Sequence, residues 1–197
     1  MRQVLSLITY PELEKLVPAG TFPSDVIERA HKLLAANPGG SGAYSNSKGV
    51  PLVCQDIADF ITRRDGYKCD ASSVFLSNGA SQSVQNALLF LSASPKDGFL
   101  TPIPQYPLYS ATITLYNNHL IGYYLDEDHE WGLDMNELEL RVKEAHEQGI
   151  TLKGLVIINP GNPTGMVCIA PLFHCSVWRR RRCRIAFVSA LSTSWFF

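Results

Sequence analysis

The sequence of 197 residues has almost no excess charge, with 17 Lys and Arg against 18 Asp and Glu and a net charge of -1. That balance gives no global pull toward nucleic acid or an anionic membrane surface. No apolar run approaches the roughly 20 residues that cross a bilayer as a helix. The N-terminus, MRQVLSLITYPELEKL, lacks the order of basic region, long apolar stretch and small-residue cleavage site that marks a secretory signal. Cysteines are few and odd in number, at positions 54, 69, 168, 175 and 183, and no two form a C-x-x-C pair. A disulfide framework is therefore not expected. Cys168, His174, Cys175 and Cys183 lie close in sequence, but their spacing matches no common zinc pattern, so the thiols are read as free and no metal site is expected. With 46% hydrophobic residues, the composition excludes a disordered chain. A soluble intracellular α/β chain of about one domain is expected.

Acidic residues stop at Glu147, while Arg179, Arg180, Arg181, Arg182 and Arg184 crowd together near the end. Up to about Gly165 strand-like and helix-like segments alternate. Beyond it CIAPLFHCSVWRRRRCRIAFVSALSTSWFF has neither helical nor strand periodicity, nor clear caps. An arginine cluster can be a nuclear import signal or a nucleic-acid patch. These arginines sit among Trp178, Ile185, Phe187, Trp195, Phe196 and Phe197 with no acidic balance. The stretch 166–197 is therefore expected to be a tail foreign to the preceding domain, disordered or aberrantly translated. The chain divides into an N-terminal segment and helix over 1–40, a partial large domain over 41–165, and that tail.

Within the ordered part, Ser24 is placed to N-cap a helix through Val26, Ile27, Ala30, Leu33 and Leu34, and Pro38-Gly39-Gly40 stops it. A second amphipathic helix uses Leu52, Val53, Ile57, Phe60 and Ile61. A short strand is expected over Ser73 to Leu76, a helix from about Ala80 to Leu91, a strand over Phe99 to Thr101 and a helix from about Pro107 to Tyr116. Leu120 to Leu125 and Leu155 to Ile158 read as further strands. Asp134 with Glu137 has the spacing of a capping box for the helix ending near Gly149. Such alternation predicts a parallel sheet covered by helices on both faces.

In such sheets ligands bind where the strands' C-terminal ends release their loops. Three loops carry unusual residues there. SNGASQS, Ser77 to Ser83, places a glycine and small hydroxyl residues at a helix start, where free N–H groups and the helix dipole favour an anion. The bland alternative is simple helix capping. PIPQYPLYSA, Pro102 to Ala111, is a proline-stiffened ledge able to present Tyr106 to a flat ring, or else a turn whose aromatics pack into the core. INPGNPTG, Ile158 to Gly165, is a stiff polar turn with two Asn-Pro steps, and Asn162 is placed to bond something above the sheet.

NPGNPTG, PQYPLYSA, SNGAS and GAYSNSKG together, in this order, resemble the class I and II aminotransferases. Within them GAYS-S-G, RRDGY, PIPQYPLYSA, YYLDE–WGLD and VIINPGNPTG look most like alanine aminotransferase, with glutamate–glyoxylate aminotransferase a close relative. The resemblance covers about Arg2 to Gly165. It implies the fold-type I scaffold, here a partial large domain with a mostly parallel sheet flanked by helices, and pyridoxal 5′-phosphate as cofactor. It also implies roles. Gly79, Ala80 and Ser81 match the phosphate cup, and Tyr106 the aromatic that stacks on the pyridine ring. Asn162 matches the Asn that bonds the cofactor's 3-oxygen and helps hold the substrate carboxylate. Tyr44 resembles the Tyr that reaches the phosphate of the neighbouring subunit, which implies a homodimer. Amino acid and 2-oxo acid substrates follow, with no nucleic-acid or membrane partner. The default compartment is cytoplasmic, and family members are also mitochondrial or peroxisomal.

In that family a lysine downstream of NPTG forms the Schiff base with the cofactor and shuttles the proton. The seven lysines here, at 15, 32, 48, 68, 96, 143 and 153, all precede NPTG, so no catalytic residue is assigned. The expected function is that of an alanine-type aminotransferase fragment, truncated at both ends. The alternatives are a glyoxylate-using or other α-amino acid transaminase, or a non-catalytic truncated subunit that pairs with intact enzyme. The purified chain is expected to be poorly soluble and to catalyse no exchange between L-alanine and 2-oxoglutarate. A coupled pyruvate assay checks this, and measurable exchange would overturn it.

Overall fold

The computed structural model describes residues 1–42 and 44–167 together with the backbone of 186–190. The remainder of the 166–197 tail, including the arginine cluster and the four residues considered for zinc, lies outside the described residues. Two units are distinguished, Met1–Ser77 and the chain from Asn78 onward.

In the first unit α1 spans Arg2–Thr9, α2 Leu13–Leu16, α3 Ser24–Ala36 and α4 Pro51–Asp65. Val4 and Leu7 of α1 are buried with Ala30 of α3, and Ile8, Val26, Ile27 and Leu33 pack around them. These positions recur at helical spacing on each helix, so two apolar stripes close on each other. Ser24 is the first helical residue rather than the cap: Pro23 holds the cap position in an extended conformation and no side chain caps it. Proline's fixed φ suits the entry to a helix, where a missing N–H leaves nothing unsatisfied. α4 opens on Pro51 and closes on Gly66 with φ 75°, the usual asymmetry of helix ends.

Ser73 to Leu76 does not form the expected strand. Ala71–Ser73 is a 3₁₀ turn whose cap, Asp70, accepts from the Ser72 amide at 2.8 Å. The stretch that follows has one cross-link to neighbouring backbone in the described structure, from the Leu76 amide to the Lys48 carbonyl at 2.8 Å. A β-propensity run becomes a strand only beside a backbone that offers repeated pairs, and its neighbour here is a loop.

The second unit holds α5, Gly79–Leu91; β1, Asp97–Ile103; α6, Leu108–Leu115; β2, His119–Asp126; β3, Gly132–Leu133; α7, Met135–Glu147; β4, Thr151–Ile158; and β5, Ala186–Ala190. The sheet order is β3-β2-β1-β4-β5. β1 runs parallel to β2 and β4, β4 runs parallel to β5, and β3 alone is antiparallel, against β2. The mostly parallel sheet read from the alternation is what forms. Phe99 and Val156 face one side, where they are buried with Val84 and Leu88 of α5 and Tyr109 and Ile113 of α6. Leu100, Tyr123, Leu152 and Leu155 face the other, beneath Leu138 and Ala145 of α7. The strands extend a few residues beyond the expected limits because polar ends are satisfied in place. Buried Asp97, for example, accepts from the Ala93 and Ser94 amides at 2.7 and 2.8 Å.

β5 is a strand within the stretch that showed no strand periodicity, with Gly154 opposite Ala186 and Ile158 opposite Ala190. Strict alternation belongs to strands with one wet face, and a parallel strand need not show it, so periodicity does not report it. The exposed backbone of β4 supplies the pairing.

The capping box is half realised. Asp134 caps α7 by accepting from the Asn136 amide at 2.8 Å. Glu137 turns instead to β2, where its Oε1 accepts from the Tyr124 amide at 3.1 Å and from Arg141 Nε at 2.8 Å. Partial burial by itself raises the Glu137 carboxyl, but the Arg141 guanidinium and the Tyr124 amide outweigh it and hold the group below the usual carboxylate range. Glu137 therefore stabilises the fold fully above its unfolded pKa of about 4.3 and loses that contribution as pH falls through the lower folded value. Glu137→Ala should lower stability by about 1–2 kcal/mol at pH 7. In urea titrations the difference from the parent should shrink steadily below about pH 4.

Candidate functional site

All site features of the second unit descend from the direction of β1. Because the sheet is parallel, Ile103, Asp126 and Ile158 end β1, β2 and β4 at one edge. α5 returns to the start of β1 through the short segment 92–96 and packs Val84 and Leu88 on Phe99. A helix of 13 residues and the strand it covers are each about 20 Å long, so the N-terminus of α5 comes to that same edge.

There α5 begins with Gly79 at φ 82°, and a Cβ on it would meet nothing within 4 Å. The cap residue, Asn78, makes no side-chain capping bond; its own amide donates to Gln82 Oε1 at 2.9 Å. Gly79, Ala80 and Ser81 are all exposed. A helix start with a positive-φ glycine, small side chains and no side-chain cap is chemically fitted to an anion such as a phosphate.

After β1 the chain passes a cis Ile103–Pro104 bond into the loop that carries Tyr106, which is 46% exposed, and then into α6, where Tyr109 is 2% exposed. The two aromatics of this loop thus divide. Tyr106 stands at the edge, while Tyr109 belongs to the core, where burial pushes its phenol above the ordinary range. Beside Tyr106, Gln105 holds Oε1 buried with no hydrogen-bond partner among the described residues. An unmet buried acceptor at a loop of this kind suits a donor brought by a ligand. Gln105 was inside the sequence motif, but no pattern marked it for burial.

After β4 the turn INPGNPTG is tied by its own bonds. The Gly161 amide donates to the Met166 carbonyl and the Gly165 amide to the Gly161 carbonyl, each at 2.7 Å. Asn159–Pro160 and Asn162–Pro163 are cis. The Thr164 hydroxyl fills the space that a Cβ on Gly161 would need, and Gly165 has φ 73°. Asn162 is left exposed on the outer side. Pro104, Tyr123, Leu133, Ile157, Asn162 and Met166 surround a mainly apolar cavity of about 30 Å³. That holds a water or two, so an organic ligand at this edge would rest on the surface that the loops present.

The structure thus gathers Gly79, Ala80, Ser81, Tyr106 and Asn162 at one edge of one sheet. Tyr44 lies in the first unit, on a loop, and is fully exposed. No helix among the described residues is long and apolar enough to cross a membrane.

A mostly parallel sheet flanked by helices, with a helix start lacking a side-chain cap, an exposed tyrosine and an exposed asparagine at one edge, defines an α/β protein. The chain belongs to the family Aminotransferase class I and II, which matches residues 15–173. It is 51% identical over 165 residues to glutamate–glyoxylate aminotransferase 2 of Arabidopsis thaliana, covering 83% of this chain and 34% of that protein. It is 50% identical over 165 residues to a probable mitochondrial alanine aminotransferase of Dictyostelium discoideum, covering 83% and 31%. The chain therefore spans about a third of the length of these relatives. A solved alanine aminotransferase from Pyrococcus furiosus shares the fold with a TM-score of 0.67 at 19% identity, over 94% of this chain and 46% of that one. The scaffold is that of the fold-type I aminotransferases, and the family generally depends on pyridoxal phosphate.

Gly161→Ala should destabilise the second unit by about 1–3 kcal/mol, because the new Cβ meets the Thr164 hydroxyl. Gly42→Ala, where a Cβ meets nothing within 4 Å, should change the midpoint little. Thermal unfolding of the two variants beside the parent checks the contrast.

Proposed function

We propose that the protein carrying this chain is a transaminase of the alanine type, moving an amino group between L-alanine and 2-oxoglutarate with pyridoxal 5′-phosphate. The observation that carries the reading is the convergence of Gly79–Ser81, Tyr106 and Asn162 on the C-terminal edge of a fold-type I sheet. The α5 amides with Ser81 would hold the phosphate, aided by the helix dipole. Tyr106 would cover one face of the ring, and Asn162 would donate to its 3-oxygen and to the substrate carboxylate. Tyr44 would serve the phosphate of a second copy, making the protein a homodimer. Residues 41–165 then form part of the cofactor-binding large domain, and 1–40 the segment that precedes it.

The bound cofactor supplies an electron-withdrawing ring that acidifies the substrate's α-carbon. What this chain's residues contribute is placement. A carboxylate fixed by Asn162 and a phosphate fixed by α5 restrain the ligand at two ends, which converts binding into orientation. A cytoplasmic location is the working assignment, although the Dictyostelium relative is named as mitochondrial. Cell fractionation with an antibody to residues 97–158 tests it.

Glyoxylate as the amino acceptor is the second reading. It is favoured by the 51% identity to the Arabidopsis enzyme, set against 50% to the Dictyostelium one. Steady-state assays of the whole protein with L-alanine and 2-oxoglutarate, and with L-glutamate and glyoxylate, separate the two, and turnover with neither pair overturns the proposal. Asn162→Ala is expected to lower kcat/KM by about 10²-fold, as loss of a charge-assisted hydrogen bond to the substrate does. An unchanged kcat/KM would remove Asn162 from the site.

A further inference from the structure

β3 pairs with β2 only at Leu125 and Asp126, so from His119 to Tyr124 the outer side of β2 faces no further strand among the described residues. One bond settles which residues turn outward. The Tyr124 amide donates to Glu137 Oε1 at 3.1 Å, so Tyr124 directs its peptide groups away from β1. Successive residues of a strand address opposite neighbours, and Leu120 and Gly122 therefore direct their N–H and C=O outward as well. They border a polar groove of about 230 Å³ between β2 and α7, with His119, Arg141, Glu144 and Gln148 around it. Ile121 and Tyr123 pack into the core under α7, whereas Leu120 and Tyr124 are 42% and 57% exposed.

This margin is self-complementary. Turned about a two-fold axis at Gly122, a second β2 would run antiparallel, with Leu120 of each copy opposite Tyr124 of the other. All the residues so paired are outward-facing ones, and each such pair exchanges two hydrogen bonds. An aliphatic side chain against an aromatic one is a favourable cross-strand pair, and Gly122 adds no side chain at the crossing. The charges match too. Arg141 lies 5.9 Å from the centre of the Tyr124 ring, and Glu144 follows it by three residues. α7 leads from Glu137, beside Tyr124, back to the edge where β4 begins, so Glu144 lies on the Leu120 side of Arg141. A two-fold contact joins one patch to its own reverse, which turns Arg141 of each copy toward Glu144 of the other.

One end of the margin is closed. Glu137 takes the Tyr124 amide, and Arg141 is held over the ring by its bonds to Glu137 and Glu144 at 2.8 and 2.9 Å. Only the groups of Leu120 and Gly122 stay open, and charged side chains at a strand margin keep sheets from joining edge to edge. We propose that the outer side of β2 is a pairing surface for a second copy of this chain, and that Glu137 keeps it shut by occupying the Tyr124 amide. The pairing uses none of the residues assigned to the ligand, so it stands apart from the transaminase reading.

Sedimentation velocity over a concentration series compares the 197-residue chain with Glu137→Met, Leu120→Pro and the double variant. Methionine suits a helix and removes the acceptor. Proline at position 120 removes an outward N–H and leaves the bonds to β1 in place. The parent and Leu120→Pro should behave alike. Glu137→Met should associate about tenfold more tightly, and the double variant should return to the parent's value. Hydrogen exchange locates the contact: in Glu137→Met the Gly122 amide should gain protection as concentration rises, while Leu100 and Val156 keep theirs. Equal association of Glu137→Met and the parent overturns the proposal. So does tighter association that Leu120→Pro fails to reverse, or that comes with faster exchange at Leu100 and Val156, because either result assigns it to an opened core.

Discussion

The second unit depends on the burial of β1 from both faces. Phe99 and Leu100 are neighbours in sequence, point to opposite sides, and are 0% and 1% exposed. That is possible only if one helical layer covers each face, and the chain can supply those layers only by crossing over between parallel strands. α5 and α6 cover the Phe99 side and α7 the Leu100 side. Once the crossovers are set, every strand ends at the same edge, and every loop with chemical content is delivered there. The site is thus a consequence of how the core is closed.

Charge at this edge is arranged locally. The chain is nearly neutral overall, so a phosphate would not be drawn in by a long-range field. What remains is short-range: the start of α5 without a side-chain cap, an exposed Asn162 and a buried Gln105 acceptor. Such groups recognise the shape and polarity of a ligand more than its net charge. That suits a ligand with an anionic end, a flat ring and polar substituents at fixed separations. Ion pairs are placed elsewhere, as in Arg141 between Glu137 and Glu144 at 2.8 and 2.9 Å, where they join α7 to itself and to β2.

Much of this was legible in the sequence. The alternation of apolar runs and amphipathic segments reported the parallel sheet, and glycine and proline marked the loops that leave it. The failures share one cause. Ser73 to Leu76 has a strand's composition without a strand's neighbour, and Glu137 has a capping box's spacing but found the better-placed Tyr124 amide across the sheet. β5 has no strand periodicity of its own, yet it pairs with β4. In each instance the outcome was decided by a partner distant in the chain, which local pattern does not report. Gln105 was invisible for the same reason, since nothing in PIPQYPLY says which polar atom will be enclosed.

One loop at the sheet's C-terminal edge obtains its stiffness locally. INPGNPTG is rigid by its own means: Gly161, Thr164, Gly165 and Met166 bond one another within the turn, and Gly161 leaves room for the Thr164 hydroxyl. A turn with such local restraints is recognisable as a motif, because the residues that bond one another lie between Gly161 and Met166. That is why Asn162 could be singled out from the sequence by its turn.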